Sequence, residues 1–290
     1  MDELMELCGF ESSEINAQRH RFERSFNKLG ITPANIETAK HRLTKYFDTE
    51  LKGVRKILGY CLMGMVNTIL CREEGKKKVI YAGMAPSFDP IGMAVMSQSE
   101  EVFVAMPDRL FNIVLGNYFD KLVPLLEAAE GKWLRGGTAA HCSLIKTRLG
   151  LFVLDLIPHP DLMVTGGQMC ETSPKNDELV YHLYDIPSFC YDSCNDFSSD
   201  EPMEARRRVD LGRAVINRLI QKTEGVAGFE IKISALQEAH NLRNRFMGTG
   251  SLLSTNWLIL PTMPMYLFRR FCASFKVLLL ILEPDTSSVF

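Results

Sequence analysis

The chain has 290 residues, 46% of them hydrophobic and 23% charged, with a formal net charge of −2. It is long enough to bury a sizeable core, and the composition is that of an ordinary globular fold. The near-neutral balance argues against a primarily nucleic-acid-binding surface, and no basic tail, collagen-like repeat or low-complexity tract occurs.

The opening residues, "MDELMELCGFESSE", are acidic and lack the charged-then-apolar layout of a secretory signal, which leads to the expectation of a reducing, cytoplasmic setting. There the eight cysteines would not pair as structural disulfides, and none of them forms a CxxC, so the zinc-ribbon signature is absent. Cys61, at the apolar end of a helical pattern, reads as a small buried hydrophobe, and Cys8, Cys71 and Cys272 have no chemical context and read as structural or incidental. The first 75 residues form a helical region. In "ITPANIETAKHRLTKYFDTELKGVRKILGYCLMGMVNTIL", Thr32 is an N-cap and Pro33 the first helical residue. Ile36, Leu43, Phe47, Leu51, Val54, Leu58 and Met65 then recur at helical spacing, one apolar face of a long helix or a helix pair. "CREEGKKK" closes the region with a glycine and a solvated charge run.

From residue 78 the period changes. "KVIYAG" predicts a strand, and "PDRLFNIVLGNYFDKLVPLLEAAEG" a helix with a kink point at Pro124. "LFVLDL" and "DLMVTG" are short apolar runs bounded by turn residues, "PKNDELVYHLY" is helical and "IPSFCYD" strand-like. "EPMEARRRVDLGRAVINRLIQKTEG" and "EIKISALQEAHNLRNRF" predict two more helices. Strands alternating with helices place the chain in the α/β class: a Rossmann-like, mainly parallel sheet with flanking helices over residues 76–247, preceded by the helical region 1–75.

Residues 248–290 abandon the alternation, with no acidic residue between Glu238 and Glu283. Arg269, Arg270 and Lys276 interrupt the apolar runs, and "VLLLIL" is too short to span a bilayer, so no membrane segment is expected. The segment reads instead as an atypical tail, as after a truncated or frame-shifted reading frame.

Two cysteines occupy positions suited to chemistry. Cys170 follows the strand "DLMVT" and precedes the helix near Pro174, beyond the carboxyl end of a strand, where α/β folds gather ligands. Gly166 and Gly167 let backbone approach a bulky group closely. A thiol near a helix N-terminus sits at the positive end of the helix dipole, which favours the thiolate that binds iron or zinc. Cys142, in "RGGTAAHCSLIKTRLGLF", has the same setting, with glycines before it and a helix carrying Lys146 and Arg148 after it. The two can converge on one metal centre without a local CxxC, and the bland alternative is a pair of buried thiols at loop ends. Cys194 could join them, whereas Cys190 packs within its strand. His141 beside Cys142 suggests a nucleophile pair only weakly, because adjacent residues point apart. Glu171 and Asp192 are candidate acids or bases, though loop carboxylates are usually just solvated. No GxGxxG or GxxxxGK[ST] follows a strand, so dinucleotide binding or ATP hydrolysis by those devices is not expected.

The stretch "HPDLMVTGGQMCETSPKNDELVYHLYDIPSFCYD", with "HCSLIKTRLG" before it, resembles subunits of the 2-hydroxyacyl-CoA dehydratase and benzoyl-CoA reductase family, over roughly residues 75–245. The resemblance implies Rossmann-like domains carrying a [4Fe–4S] cluster on three cysteines, with one iron open. Cys142 and Cys170 match the first two ligands; the third normally comes from a second α/β domain that this chain lacks, and Cys194 replaces it only as a guess. The implied activity is that of an anaerobic lyase. A homologous second subunit pairs with this one, and an ATP-dependent activator protein supplies an electron that reduces an acyl-CoA thioester to a ketyl radical before the 2-hydroxyl leaves. A benzoyl-CoA reductase-type oxidoreductase and a non-catalytic electron-transfer iron–sulfur subunit are the alternatives, and no catalytic residue is assigned.

Overall fold

The structure, a computed structural model, describes residues 1–83, 85–133, 141–167, 170, 172–192 and 202–256. Helices α1 (Asp2–Leu7), α2 (Ser12–Lys28), α3 (Pro33–Tyr46) and α4 (Lys52–Leu70) come first. Thr32 caps α3 as its sequence predicts: Thr32 Oγ1 accepts from Asn35 N at 3.4 Å and the Asn35 side chain accepts from Thr32 N. The long apolar stripe is a helix pair, broken between Phe47 and Leu51. Gly75, at φ +87, turns the chain into the sheet.

The strands β1 (Lys78–Gly83), β2 (Val102–Ala105), β3 (Leu162–Gly166) and β4 (Ser188–Tyr191) form one sheet in the order β2-β1-β3-β4, all parallel. Helix α5 (Asp89–Gln98) connects β1 to β2. Between β2 and β3 run α6 (Pro107–Phe111), a π-helical stretch (Asn112–Tyr118), α7 (Val123–Lys132) and α8 (Ser143–Val153). Helix α9 (Thr172–Tyr184) links β3 to β4, and α10 (Pro202–Ala227) and α11 (Ile233–Asn256) follow.

The sheet separates two cores by the period-two alternation of its strands. Val79, Tyr81 and Met163 face α1–α4 and α6–α9, while Ile80, Ala82, Leu162 and Val164 face α5, α10 and α11. A parallel strand connection crosses on one hand only, so steps in opposite directions along the sheet put their helices on opposite faces. The N-terminal helices therefore share a continuous core with one sheet face. The α/β architecture with a helical N-terminal region is as the sequence predicts.

Several local expectations give way. Helix α5 and strand β2 have no counterpart among the predicted elements; α5 is apolar through its middle turns, with Ile91, Met93, Ala94 and Val95 buried, and so shows no clear amphipathic stripe. The single helix kinked at Pro124 is three pieces, with a break at Asp120 (φ +53), and Pro124 lies in the first turn of α7, where a missing N–H costs nothing. In "LFVLDL", Leu151–Val153 is the end of α8. Cys190 is exposed rather than packed, because β4 stands at the end of the sheet among the described residues and its Ser188 and Cys190 face outward. The expected boundary at 247/248 falls inside α11, while residues 257–290 of the expected tail lie outside the described residues. Among the described residues no helix is long and apolar enough to cross a membrane.

Candidate functional site

The chain leaves β1 toward one side for β2, then returns past β1 to β3. This reversal makes the crevice beyond the carboxyl ends of β1 and β3 the switch point, where such folds bind ligands. Both candidate cysteines stand at this edge. Cys142 is the exposed N-cap of α8, with extended backbone and its carbonyl accepting from Lys146 N at 3.1 Å. Cys170 is half-buried just before α9: its Sγ shares a hydrogen bond with Thr172 Oγ1 at 3.0 Å, and its carbonyl accepts from Ser173 N at 3.3 Å.

Two contacts hold α8 and α9 side by side and parallel. Arg148 donates through Nη1 to Asp177 Oδ1, and lower down the Phe152 and Tyr184 rings lie 5.6 Å apart. Arg148 and Asp177 are each the sixth residue of their helix. Each helix therefore runs about five residues, ~8 Å at 1.5 Å per residue, from its N-terminus to its member of the ion pair. The topology that put Cys142 and Cys170 beyond strand ends in the sequence puts both at the carboxyl edge of the sheet.

Below them the crevice is filled. Arg148, only 1% exposed, also donates through Nη2 to Asp108 Oδ2 at 2.6 Å, and Thr165 donates from Oγ1 to Asp177 Oδ2. Burial alone would lower the Arg148 pKa, but Asp108 and Asp177 outweigh it and hold the guanidinium charged. Burial pushes the Asp177 carboxyl above the usual carboxylate range, and Arg148 and Thr165 pull it partly back. A Cβ on Gly83, at the end of β1, would lie 2.6 Å from Arg148 Cζ. Gly83 is therefore glycine to admit an arginine. Of this cluster, the sequence singles out only Arg148, as a charge on the helix after Cys142. Asp108 belongs to a helix end and Asp177 to a charge-rich helix, and nothing local distinguishes either from a solvated acid.

Around this edge the structure leaves polar atoms unused. Ser173 Oγ, both amide atoms of Asn176 and His141 Nδ1 are buried with no hydrogen-bond partner among the described residues. His141 lies beside Cys142 as expected, but its Nδ1 makes no bond to the thiol. Asp192 follows β4 and its carboxylate sits over Gly167, 3.2 Å from where a Cβ would be.

The donor set for a metal is two thiols, Cys142 and Cys170. Among the described residues no three Cys, His, Asp or Glu side chains gather to hold a metal ion, so these residues alone do not complete a [4Fe–4S] ligand set. Cys194, Cys272 and Glu171 lie outside the described residues. Comparison with known proteins adds no identity: no protein-family model and no curated protein matches the chain.

Proposed function

We propose that the chain is an iron–sulfur subunit of a 2-hydroxyacyl-CoA dehydratase-like lyase, with Cys142 and Cys170 holding a [4Fe–4S] cluster at the carboxyl edge of the sheet. The observation that supports this is the placement of both thiols at the N-termini of two neighbouring helices, joined by Arg148 and Asp177, at the carboxyl edge of the sheet. Helix N-termini favour anionic thiolates and an anionic cluster. When bound, such a cluster, reduced by an ATP-dependent activator protein, would supply single low-potential electrons for an acyl-CoA thioester. The chain's own residues contribute position: Arg148 locks the two helices, and Thr172 bonds the Cys170 sulfur. Because the proposed ligands among the described residues number two, a further ligand comes from residues outside those described or from the homologous second subunit. A benzoyl-CoA reductase-type subunit would use the same cysteines.

The test is iron and acid-labile sulfide per chain after anaerobic reconstitution, for the wild type, Cys142→Ala and Cys170→Ala. Roughly four irons per chain in the wild type, lost in either variant, is the expected result. Folded protein that takes up no iron overturns the proposal, and the two cysteines are then simple loop-end thiols.

A further inference from the structure

Resting on the iron–sulfur reading above, we infer that Thr172 is a positioning residue for the cluster: its hydroxyl donates to the Cys170 sulfur and makes the two ligands, Cys170 and Cys142, unequal. Cys170 Sγ and Thr172 Oγ1 lie 3.0 Å apart, both residues half-buried at the start of α9. Between a thiol and a hydroxyl either group can donate. A sulfur bound to iron carries no proton, so in the loaded protein the hydroxyl is the donor.

The place of Thr172 in its helix frees that hydroxyl. Inside a helix a threonine commonly returns its hydroxyl to the carbonyl four residues back. Thr38, Thr44, Thr68, Thr147 and Thr223 each do so, at distances between 2.7 and 3.0 Å. Thr172 is the first residue of α9, so the carbonyl four residues back lies outside the helix, and the hydroxyl meets Cys170 instead. The backbone supports the contact: Ser173 N donates to Cys170 O at 3.3 Å, closing the turn that folds residue 172 against residue 170.

Cys142 differs. It is the exposed N-cap of α8, and among the described residues no side chain bonds its sulfur. Two positions on, where α9 has its threonine, α8 has Leu144, which carries no donor. One ligand is thus half-buried and hydrogen-bonded, while the other is exposed and lacks that bond.

The consequence is electrostatic. An added electron places more negative charge on the cluster sulfurs, and a hydrogen bond strengthens as its acceptor gains charge. The Thr172 hydroxyl therefore stabilises the reduced state more than the oxidised one and raises the reduction potential, which hydrogen bonds to cluster sulfurs help to set. Its role in the proposed reaction is to hold the cluster within reach of the protein that reduces it.

The experiment is an anaerobic redox titration of the reconstituted full chain, followed by visible absorption and electron paramagnetic resonance, for the wild type, Thr172→Val and Thr172→Ser. Iron content and thermal unfolding before reconstitution are measured for each. Valine keeps the shape of threonine and removes the hydroxyl. Thr172→Val is expected to melt with the wild type and hold as much iron. At a fixed potential its reduced-to-oxidised ratio falls about tenfold, a midpoint about 59 mV lower for one electron. Thr172→Ser, which keeps the hydroxyl, stays within about twofold of the wild-type ratio. An unchanged potential in Thr172→Val overturns this inference and leaves the cluster reading standing. So does an equal drop in Thr172→Ser, or a Thr172→Val protein that melts well below the wild type or takes up no iron. A wild-type chain that folds but takes up no iron overturns both.

Discussion

Replacing Arg148 probes the centre of the fold and the site together. Arg148→Met keeps most of the side-chain volume and strands Asp108 and Asp177, which are buried on either side of it. Breaking a buried ion pair by removing one partner costs about 3–5 kcal/mol, a large share of the 5–15 kcal/mol that holds a typical domain. Without the guanidinium, the Asp177 carboxyl is pushed up further by burial. A carboxyl whose folded pKa lies above its unfolded value destabilises the fold above that folded pKa and not at all below the unfolded one. The deficit of Arg148→Met therefore shrinks as the pH falls from 7.5 toward 5. Gly83→Ala supplies the geometric control. In the wild type its Cβ meets Arg148 at 2.6 Å from Cζ, so the guanidinium must leave both carboxylates to make room. In the Arg148→Ala background that collision is absent, and the added methyl costs less than about 1 kcal/mol by comparison. Urea unfolding of the four proteins of the Gly83/Arg148→Ala cycle, and of Arg148→Met at both pH values, measures this. Additive effects, or a loss below about 1 kcal/mol for Arg148→Met, would refute the reasoning.

Gly150 packs α8 against α7, and a Cβ there would lie 2.8 Å from the Leu125 carbonyl carbon. Gly150→Ala should thus lower stability by about 2 kcal/mol or more, whereas Gly225→Ala, with nothing within 4 Å on α10, should raise it by about 0.5–1 kcal/mol; both are read by chemical unfolding. Burial pushes the Cys61 thiol up to about 12 and Cys71 to about 11, and raises Cys8 as well. Brief alkylation of native apo-protein at pH 8, mapped by peptide mass spectrometry, should label Cys142, Cys170 and Cys190 and spare Cys8, Cys61 and Cys71; rapid labelling of the latter three would contradict their burial. Burial lifts the half-buried Asp89 carboxyl to about 6 despite the nearby Arg243 and Arg109. Its raised folded value means the charge opposes folding above about pH 6 and is without effect below about pH 4, so the melting temperature of Asp89→Asn relative to wild type should climb between pH 4.5 and 7.5.

What the sequence disclosed depended on how local the cause was. The Thr32-Pro33 cap, the turn at Gly75, the strands β1, β3 and β4, and the buried state of Cys61 follow from residues within a few positions of one another, and each was legible. Helix α5 was not, because a helix apolar through its middle turns carries no clear period to detect. The placement of Cys142 and Cys170 on one edge was legible, since strand ends and helix starts follow from chain order in a parallel sheet. The Asp108–Arg148–Asp177 cluster was not, because its members come from α6, α8 and α9 and meet only through the fold. For the same reason Ser173 and Asn176 read as ordinary helix-start polar residues; their unused bonding capacity exists only once the chain is packed around them.

The filled switch point also accounts for where a ligand must go. A dinucleotide fold keeps the crevice between its central strands open and uses several glycines to bring a pyrophosphate against a helix N-terminus. Here the glycine at the end of β1 serves Arg148, and the guanidinium it admits is already paired with two buried carboxyl groups. A phosphate brought down between β1 and β3 would find that cation taken and its place filled. The groups left available lie higher and toward β3, at the starts of α8 and α9: two thiols, the Thr172 hydroxyl and the idle atoms of Ser173, Asn176 and His141. On the proposed reading, these thiol, hydroxyl, amide and imidazole groups suit a metal-bound or carbonyl-bearing ligand rather than a bare phosphate. The ion triad is thus the lock between α8 and α9 and, on the proposed reading, the floor beneath the cysteines.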